Sequence, residues 1–193
     1  FTKPSAGQPA LLTADEAETM FHEFGHALHN LFRDVHYYGV SSVPRDFVEL
    51  PSQVNEHWVF EPEMLKEYAK HYETGEVIPA ELVERLNQCG KYGQGFTTTE
   101  YLAASLLDMD FHTMKEIPAD FDVMDFEQKT LAERGLLSQI PSRYRTTYFN
   151  HTMGGGYTAG YYSYLWSEVL DADAFDAFKE TGNIFNTEVA AKF

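Results

Sequence analysis

The sequence predicts a mainly α-helical protein, and three kinds of observation support that prediction. Apolar side chains recur at helical spacing in several stretches, capping residues stand before some of these stretches, and glycine or proline separates them. The chain contains no internal repeat, no low-complexity tract and no obvious linker. We therefore expect one continuous helical organisation over residues 1–193.

The first helix is marked by both its start and its apolar face. The stretch Thr13-Ala14-Asp15-Glu16 has the pattern of a capping box, in which a threonine and a glutamate three residues later satisfy backbone donors. Apolar residues then recur at helical spacing. The helix is therefore predicted to run to about residue 33 and to bury a broad face.

The later helices are bounded by proline, glycine or capping threonines. We expect them over about 45–60 with an interruption or bend at Pro51, from Pro62 to near Gly75, and over about 79–89, 97–116, 125–137 and 157–174, with a shorter one ending near Gly182. Between residues 140 and 152 the β-branched and aromatic content rises without a helical stripe. Extended structure or a loop is expected there.

The charge of the chain narrows its possible partners. The 193 residues include 30 acidic and 14 basic side chains, and the formal net charge of -16 repels the phosphate backbone of nucleic acids. No segment approaches the roughly 18 consecutive apolar residues of a membrane helix. We therefore expect no nucleic-acid partner and no membrane partner.

The single cysteine and the first residue carry two further expectations. Cys89 alone excludes an internal disulfide and a cysteine-rich metal site, so a metal ion would be held by His, Asp or Glu. Because the chain begins at Phe1 without Met, we expect a fragment of a longer chain, whose remainder is a partner of this part. We expect a cytoplasmic location, with the periplasm as the alternative.

The strongest chemical signal lies inside the first helix, at His22-Glu23-Phe24-Gly25-His26. Residues four apart lie one turn above each other on the same helix face, so both imidazoles can reach one metal ion. Nitrogen ligands suit zinc, and a catalytic zinc site has three protein ligands and an open position for water. Glu23 lies about 100° around the helix from His22, where it can accept a proton from that water. We expect one zinc ion here.

A third ligand is needed, and the neighbouring residues offer several candidates. His29 lies roughly 10 Å along the helix axis from His22, which is too far for both to bind one ion, so a supporting or structural role is expected. The second predicted helix carries two glutamates, Glu49 and Glu56. Spacing alone does not choose between them.

A second signal is the segment from His151 to Trp166, which combines three successive glycines with several tyrosines. Tyr157, Tyr161 and Tyr164 are spaced at i, i+4 and i+7 and therefore share one face of the predicted helix. Such a stripe is typical of a helix core. The glycine run, however, lets backbone or substrate approach closely, and phenolic hydroxyls can donate to an oxyanion. Both interpretations stay open on spacing alone.

These motifs resemble the thimet oligopeptidase family of zinc metallopeptidases. The resemblance rests on HEFGHALH at 22–29, DFVELPSQ at 46–53 and the glycine and tyrosine segment. Stretches at 55–58, 100–109 and 140–149 are similar to the bacterial peptidyl-dipeptidases, also called dipeptidyl carboxypeptidases. The resemblance covers most of the 193 residues and implies a zincin-like catalytic core of a larger, mostly helical oligopeptidase.

The resemblance also implies roles for individual residues. It makes Glu49 the third zinc ligand. Glu56 would then either orient a zinc-binding imidazole without contacting the metal itself, or be a solvated helix glutamate. Side chains of the tyrosine segment would line the substrate cleft and help to stabilise the tetrahedral intermediate; these are His151, Tyr157 and Tyr164, with Tyr161 as a substrate contact.

The predicted function is zinc-dependent hydrolysis of short peptides, with release of dipeptides from the C-terminus. Such an enzyme must bind a free carboxylate, for which Arg143 and Arg145 are candidates, although either could form a structural ion pair instead. An endo-acting oligopeptidase is the alternative within the same chemistry. A zinc-holding peptide-binding module without turnover is the alternative from another class, but binding alone needs no general base such as Glu23.

Overall fold

The structure is a computed structural model that describes residues 1–193. It is mainly helical, which confirms the predicted fold class. Nine α-helices follow in order: α1 Ala14–Leu31, α2 Leu50–Glu56, α3 Pro62–Tyr68, α4 Ala80–Cys89, α5 Gln94–His112, α6 Val123–Glu133, α7 Asn150–Met153, α8 Ser163–Lys179 and α9 Thr187–Lys192. None of them has the combination of length and apolar character that crossing a bilayer requires.

The chain divides into two compact units. Residues 1–87 and 165–193 form the first unit, and residues 88–164 form the second. The first unit contains α1 to α3, α9 and most of α4 and α8. The second contains α5, α6 and α7.

α1 begins with the predicted capping box. The Thr13 hydroxyl accepts a hydrogen bond from the Glu16 backbone N–H at 3.2 Å, and the Glu16 carboxylate accepts one from the Thr13 N–H at 2.9 Å. Backbone hydrogen bonds from Thr13 and Thr2 lower the pKa of the Glu16 carboxyl to about 2. The helix ends at Leu31, close to the predicted end.

The core of the first unit is built around aromatic rings. Trp58 makes edge-to-face contacts with Phe175 and Phe178, with ring centroids 4.8 and 5.0 Å apart. Its indole N–H donates to the Ile184 carbonyl at 3.1 Å. Val54, which lies four residues earlier on α2, is almost completely buried. This packing holds α2 in the interior of the unit.

The prediction for the second helix was wrong at its start. Residues 45–49 form turns and α2 begins at Leu50, so Pro51 lies in the first helical turn and interrupts nothing. Proline fits there because its missing N–H would have no acceptor within the helix. α3 also ends earlier than predicted, at Tyr68, and an isolated antiparallel bridge between Lys70 and Val77 follows it.

Two helix starts in the second unit also differ from the prediction. α5 begins at Gln94, after Gly93 in the left-handed conformation at φ +74°, rather than at the threonine run from residue 97, and it ends at His112 rather than near residue 116. α6 begins at Val123 because Asp122 caps it, accepting hydrogen bonds from two backbone N–H groups at 2.9 and 3.0 Å.

The largest correction concerns the tyrosine segment. A helix was predicted from residue 157, but residues 154–162 form no α-helix and α8 begins at Ser163. Gly156 at φ +90° and Ala159 at φ +50° have left-handed backbones, which a right-handed helix excludes. The short helix α7 lies where extended structure or a loop was predicted. The argument that placed three tyrosines on one helix face was therefore wrong, although their rings still meet.

Candidate functional site

The two histidines of the first motif lie on one face of α1, one turn apart. Their ring centroids are 4.8 Å apart and the rings are nearly perpendicular. Both side chains are partly buried, with 20% exposure for His22 and 27% for His26. The helix therefore presents two imidazole nitrogens to the same small volume, as the spacing of four predicts.

Glu49 completes a cluster with these histidines. It is the N-cap residue of α2 and is almost fully buried. Its Oε2 atom lies 3.3 Å from Nε2 of His22 and 3.3 Å from Nε2 of His26. The Ser52 hydroxyl donates to the Glu49 Oε2 at 3.0 Å and to the Glu49 backbone carbonyl at 2.8 Å, which fixes the carboxylate rotamer.

The spacing of these donor atoms suits a zinc ion. Two imidazole nitrogens and one carboxylate oxygen lie within 4.8 Å of one another. In a tetrahedral site with zinc–ligand distances of about 2.0–2.2 Å, the ligand atoms lie about 3.3–3.6 Å apart. The two measured separations of 3.3 Å fall in that range. The chemistry of the three donors and these two separations therefore fit a three-ligand zinc site.

Glu56 contacts the opposite side of the His22 ring. The His22 Nδ1 lies 2.5 Å from the Glu56 Oε1, so the carboxylate accepts a hydrogen bond from Nδ1–H and leaves Nε2 facing Glu49. Burial alone would lower the pKa of His22, but the hydrogen bonds and charges of Glu49 and Glu56 outweigh it and raise this pKa to about 10. A metal ion at Nε2 thus competes with a proton.

Close contact between α1 and α2 brings the cluster together. A Cβ atom on Gly25 would lie 2.5 Å from the Ser52 Cα and 2.6 Å from the Pro51 carbonyl oxygen, so no larger residue fits between the helices. The Asn55 side chain also donates to the Phe21 carbonyl at 2.6 Å. These contacts set the distance between the histidines on α1 and the glutamate before α2.

The other polar residues of the motif lie outside the cluster. Glu23 is exposed on α1 and lines an apolar groove of about 1420 Å³ within the first unit. His29 also lines this groove and makes an edge contact with Phe47. His57 is a structural residue, since its Nε2 lies 2.8 Å from Asp171 and its ring stacks on Phe175.

In the second unit, the aromatic side chains of the glycine and tyrosine segment form a cluster around His151. The His151 ring lies 5.8 Å from Tyr157, 5.7 Å from Tyr161 and 6.3 Å from Tyr164, measured between centroids. Tyr157 and Tyr164 stack at 5.2 Å with an interplanar angle of 17°. We call these four residues the tyrosine cluster.

Its members differ in exposure. Tyr161 is buried in a core with Ala104 and Phe149. Burial and the neighbouring Tyr144 raise the pKa of its hydroxyl, and they outweigh Arg143, which lowers it. The other three members are only partly buried. Tyr161 therefore forms the buried side of the cluster, whereas His151, Tyr157 and Tyr164 retain access to solvent.

The two candidate arginines have different partners. The Arg145 guanidinium donates to the buried carboxylate of Glu127 at 3.0 Å. Arg143 lies 3.4 Å from the Glu100 carboxylate, and its guanidinium lies 5.7 Å from the centre of the Tyr144 ring. Arg145 therefore takes part in a structural ion pair, whereas the contact of Arg143 with its carboxylate is long.

Comparison with known proteins identifies the family. The model of peptidase family M3 matches residues 1–193. The chain belongs to peptidase family M3. It is 48% identical over 187 residues to the dipeptidyl carboxypeptidase of Salmonella typhimurium and 47% identical to that of Escherichia coli, and each match covers 95% of this chain. It is 44% identical over 200 residues to oligopeptidase A of Escherichia coli, across the whole chain.

These matches confirm the family that the sequence motifs resemble. They also show that the chain spans about 28% of the length of the two carboxypeptidases and 29% of oligopeptidase A. These M3 relatives include proteins named dipeptidyl carboxypeptidase and a protein named oligopeptidase A. Membership of the family therefore does not choose between these two activities.

Some residues that shape the site were not predicted from the sequence. Ser52 could have been found, because a residue three positions after Glu49 on a helix lies on the same face and its hydroxyl can reach the carboxylate. Asn55, which joins α2 to the Phe21 carbonyl, gives no comparable signal. Asp108 of α5 accepts hydrogen bonds from backbone N–H groups more than fifty residues later in the chain, a separation at which local sequence gives no signal.

Proposed function

We propose that this chain is the zinc-bearing part of an M3 peptidase that hydrolyses short peptides and releases dipeptides from a free C-terminus. The observation that carries the proposal is the cluster of His22 Nε2, His26 Nε2 and Glu49 Oε2, with both nitrogen–oxygen separations at 3.3 Å. Glu23 follows directly after one of these ligands on the same helix. A binding module would need the three ligands but not this carboxylate.

Zinc bound to these three residues would supply a Lewis acid that makes water a better nucleophile at neutral pH. Glu23 would act as the general base that takes a proton from the attacking water, and would then deliver that proton to the departing amine. Glu56 keeps the His22 ring in the required tautomer by accepting a hydrogen bond from its Nδ1–H. Ser52 holds the Glu49 carboxylate in place.

The tyrosine cluster is proposed to stabilise the oxyanion of the tetrahedral intermediate. Tyr157 and Tyr164 each carry a phenolic hydroxyl, and His151 adds a further ring N–H. The stacked rings have little rotational freedom, which keeps the donors in place before the charge develops. Family membership supports this assignment more than the spacing of the tyrosines does.

Arg143 is the better-supported of the two arginines as the residue that binds the C-terminal carboxylate of the peptide. Its contact with Glu100 is long, at 3.4 Å, and its other partners are the hydroxyls of Tyr144 and Tyr161, which carry no full charge. The guanidinium of Arg145, in contrast, is bound to the buried carboxylate of Glu127. A bidentate arginine–carboxylate pair would select peptides with a free C-terminus. Binding of that carboxylate would also favour dipeptide release over internal cleavage.

The test uses one peptide in two forms, with a free and an amidated C-terminus, and the full-length zinc-loaded protein. We expect mass spectrometry to show successive loss of dipeptides from the free form. Cleavage of the amidated form should be slower than cleavage of the free form by on the order of tenfold or more, since one charged hydrogen bond contributes about 1.5–3 kcal/mol. Equal cleavage of both at internal bonds would favour the endo-acting alternative. Binding without products would favour the module.

The same pair of peptides separates the arginines. Arg143→Gln should raise KM for the free peptide and leave KM for the amidated peptide unchanged. Arg145→Gln should lower thermal stability because it leaves Glu127 without its cation. A rise in KM that is equal for both peptides would contradict the role of Arg143.

A further inference from the structure

The interior of the second unit contains a carboxylate that the proposed chemistry does not use. Asp108 lies on α5 and has no solvent exposure. Its Oδ1 accepts a hydrogen bond from the Ala159 N–H at 3.0 Å, and its Oδ2 accepts one from the Tyr161 N–H at 3.0 Å. The His112 Nδ1 lies 2.8 Å from the Oδ1. Burying a carboxylate is costly unless its oxygens have donors, and three donors converge on this one.

The backbone that Asp108 holds has an unusual conformation. Ala159 has a φ of +50°, a left-handed region that side chains with a Cβ atom disfavour by about 1–2 kcal/mol. Residues in such conformations persist when the surrounding structure fixes them, and they cluster at functional sites. The buried carboxylate bonds to Ala159 itself and to the second residue after it. It thereby fixes the turn between Tyr157 and Tyr161.

This turn controls the positions of the rings in the tyrosine cluster. At the other end of the turn, the Tyr157 N–H donates a hydrogen bond to the His151 carbonyl at 2.8 Å. Tyr161 packs against both His151 and Tyr164, with centroids 5.7 and 5.6 Å away. A shift of the backbone at 159–161 must therefore move the stack of Tyr157 on Tyr164.

We propose that Asp108 is a positioning residue for peptide hydrolysis, which holds the turn at 157–161 so that the tyrosine hydroxyls keep the geometry that catalysis needs. This inference rests on the function proposed above for the tyrosine cluster. Asp108 does not contact the substrate itself. It acts through the backbone N–H groups of Ala159 and Tyr161, so its loss affects the rate through the tyrosines.

The test is Asp108→Asn in the full-length protein. The amide has nearly the same shape, but it retains one acceptor oxygen, and its NH₂ group would face a backbone donor. We expect kcat to fall on the order of tenfold to a hundredfold, as for misplacement of a catalytic group by up to about 1 Å, with KM and zinc content unchanged. A purely structural role would lower the melting temperature and leave kcat of the folded protein unchanged.

Asp110→Asn is the matched control. It lies on the same helix and removes the same charge, but its partner is Arg134, whose guanidinium contacts it at 2.6 and 3.0 Å. It should keep kcat. A double mutant then tests the route of the effect: in a Tyr157→Phe background, Asp108→Asn should lower kcat by less than it does in the wild type. Independent, fully additive effects would overturn the inference.

The outcomes separate this inference from the function on which it rests. If Tyr157→Phe and Tyr164→Phe both keep the full rate, the proposed role of the cluster is wrong. If they lower the rate while folded Asp108→Asn does not, only the role of Asp108 is wrong. Should Asp108→Asn fail to fold, amide hydrogen exchange of the wild type decides: the Ala159 and Tyr161 amides should be strongly protected outside any helix, and fast exchange would overturn the inference.

Discussion

The proposed zinc-binding cluster of His22, His26 and Glu49 in the first unit and the tyrosine cluster in the second are organised in different ways. His22, His26 and Glu49 come from the face of one helix and the start of the next, 28 residues in all. The tyrosine cluster is built around the non-helical residues 154–162, and a carboxylate more than fifty residues earlier fixes the turn within them. Helical periodicity therefore places the two histidines of the first site, whereas long-range hydrogen bonds to Asp108 fix the second site.

The largest expected effect belongs to the first unit. Glu23→Gln in the full-length protein should reduce hydrolysis to below about 1% while zinc content stays unchanged, because the amide cannot accept a proton and general-base catalysis contributes roughly 10² to 10⁴-fold. Asp15→Asn, on the same helix and with the same loss of charge, is the control. Activity well above about 1% in the glutamine variant would rule out Glu23 as the base.

The corresponding changes in the second unit should be almost as large and should leave zinc unaffected. Tyr157→Phe and Tyr164→Phe should each lower kcat by about 10² to 10³-fold, as for removal of one oxyanion donor, with KM nearly constant. Phenylalanine preserves the ring packing. Tyr148→Phe, at an exposed position outside the cluster, should have no effect. If both cluster variants keep the wild-type rate, the cluster is a packing feature.

Metal affinity should distinguish the two glutamates beside His22. Glu56→Ala should weaken zinc binding by about 10 to 100-fold, because Glu56 only orients the imidazole. Glu49→Ala removes a ligand and should weaken binding further. Zinc content after dialysis against a graded series of chelator concentrations measures both. Equal retention in the two variants would contradict the assignment of Glu49 as the ligand.

The success of the sequence-based predictions follows the same division. The capping box at Thr13 and the spacing of His22 and His26 are local features, and both are present as expected. The expected break at Pro51 did not appear, since proline is also acceptable at a helix start. The helix predicted from Tyr157 failed because Asp108 and the left-handed Ala159 stabilise a turn that local sequence does not reveal.

Glycine substitutions provide a smaller and more specific test of the comparison. A Cβ on Gly25 would approach the Ser52 Cα to 2.5 Å, and one on Gly155 would approach the Asn150 carbonyl oxygen to 2.8 Å. Gly25→Ala should cost about 1–3 kcal/mol of stability and weaken zinc binding, because the helices that hold the ligands must separate. Gly155→Ala should lower kcat but leave zinc binding unchanged.

Gly95→Ala is the control for both glycine variants. Gly95 lies within α5 and has no atom within 4 Å of an added Cβ, so alanine should be neutral or stabilise the helix by up to about 1 kcal/mol. Thermal unfolding and zinc titration of the three variants measure the differences. If Gly155→Ala weakens zinc binding as much as Gly25→Ala does, the two clusters are coupled and the comparison fails.

The smallest effect is expected on zinc affinity, when the isolated 193-residue chain is compared with the full-length protein. All three proposed ligands lie between His22 and Glu49, and the bonds that fix them come from Ser52, Asn55 and Glu56 in the same unit. The 193-residue chain should therefore bind zinc within a few-fold of the affinity of the full-length protein, in a competition assay with a chelating indicator. At equal zinc occupancy, the 193-residue chain should hydrolyse a short peptide much more slowly than the full-length protein does. Much of the rate comes from correct positioning of the peptide, which the metal ligands alone do not provide. Zinc binding that is a hundredfold weaker would show that the metal site depends on parts of the protein beyond α1 and α2. Equal rates of hydrolysis would show that the 193 residues already contain everything that catalysis requires.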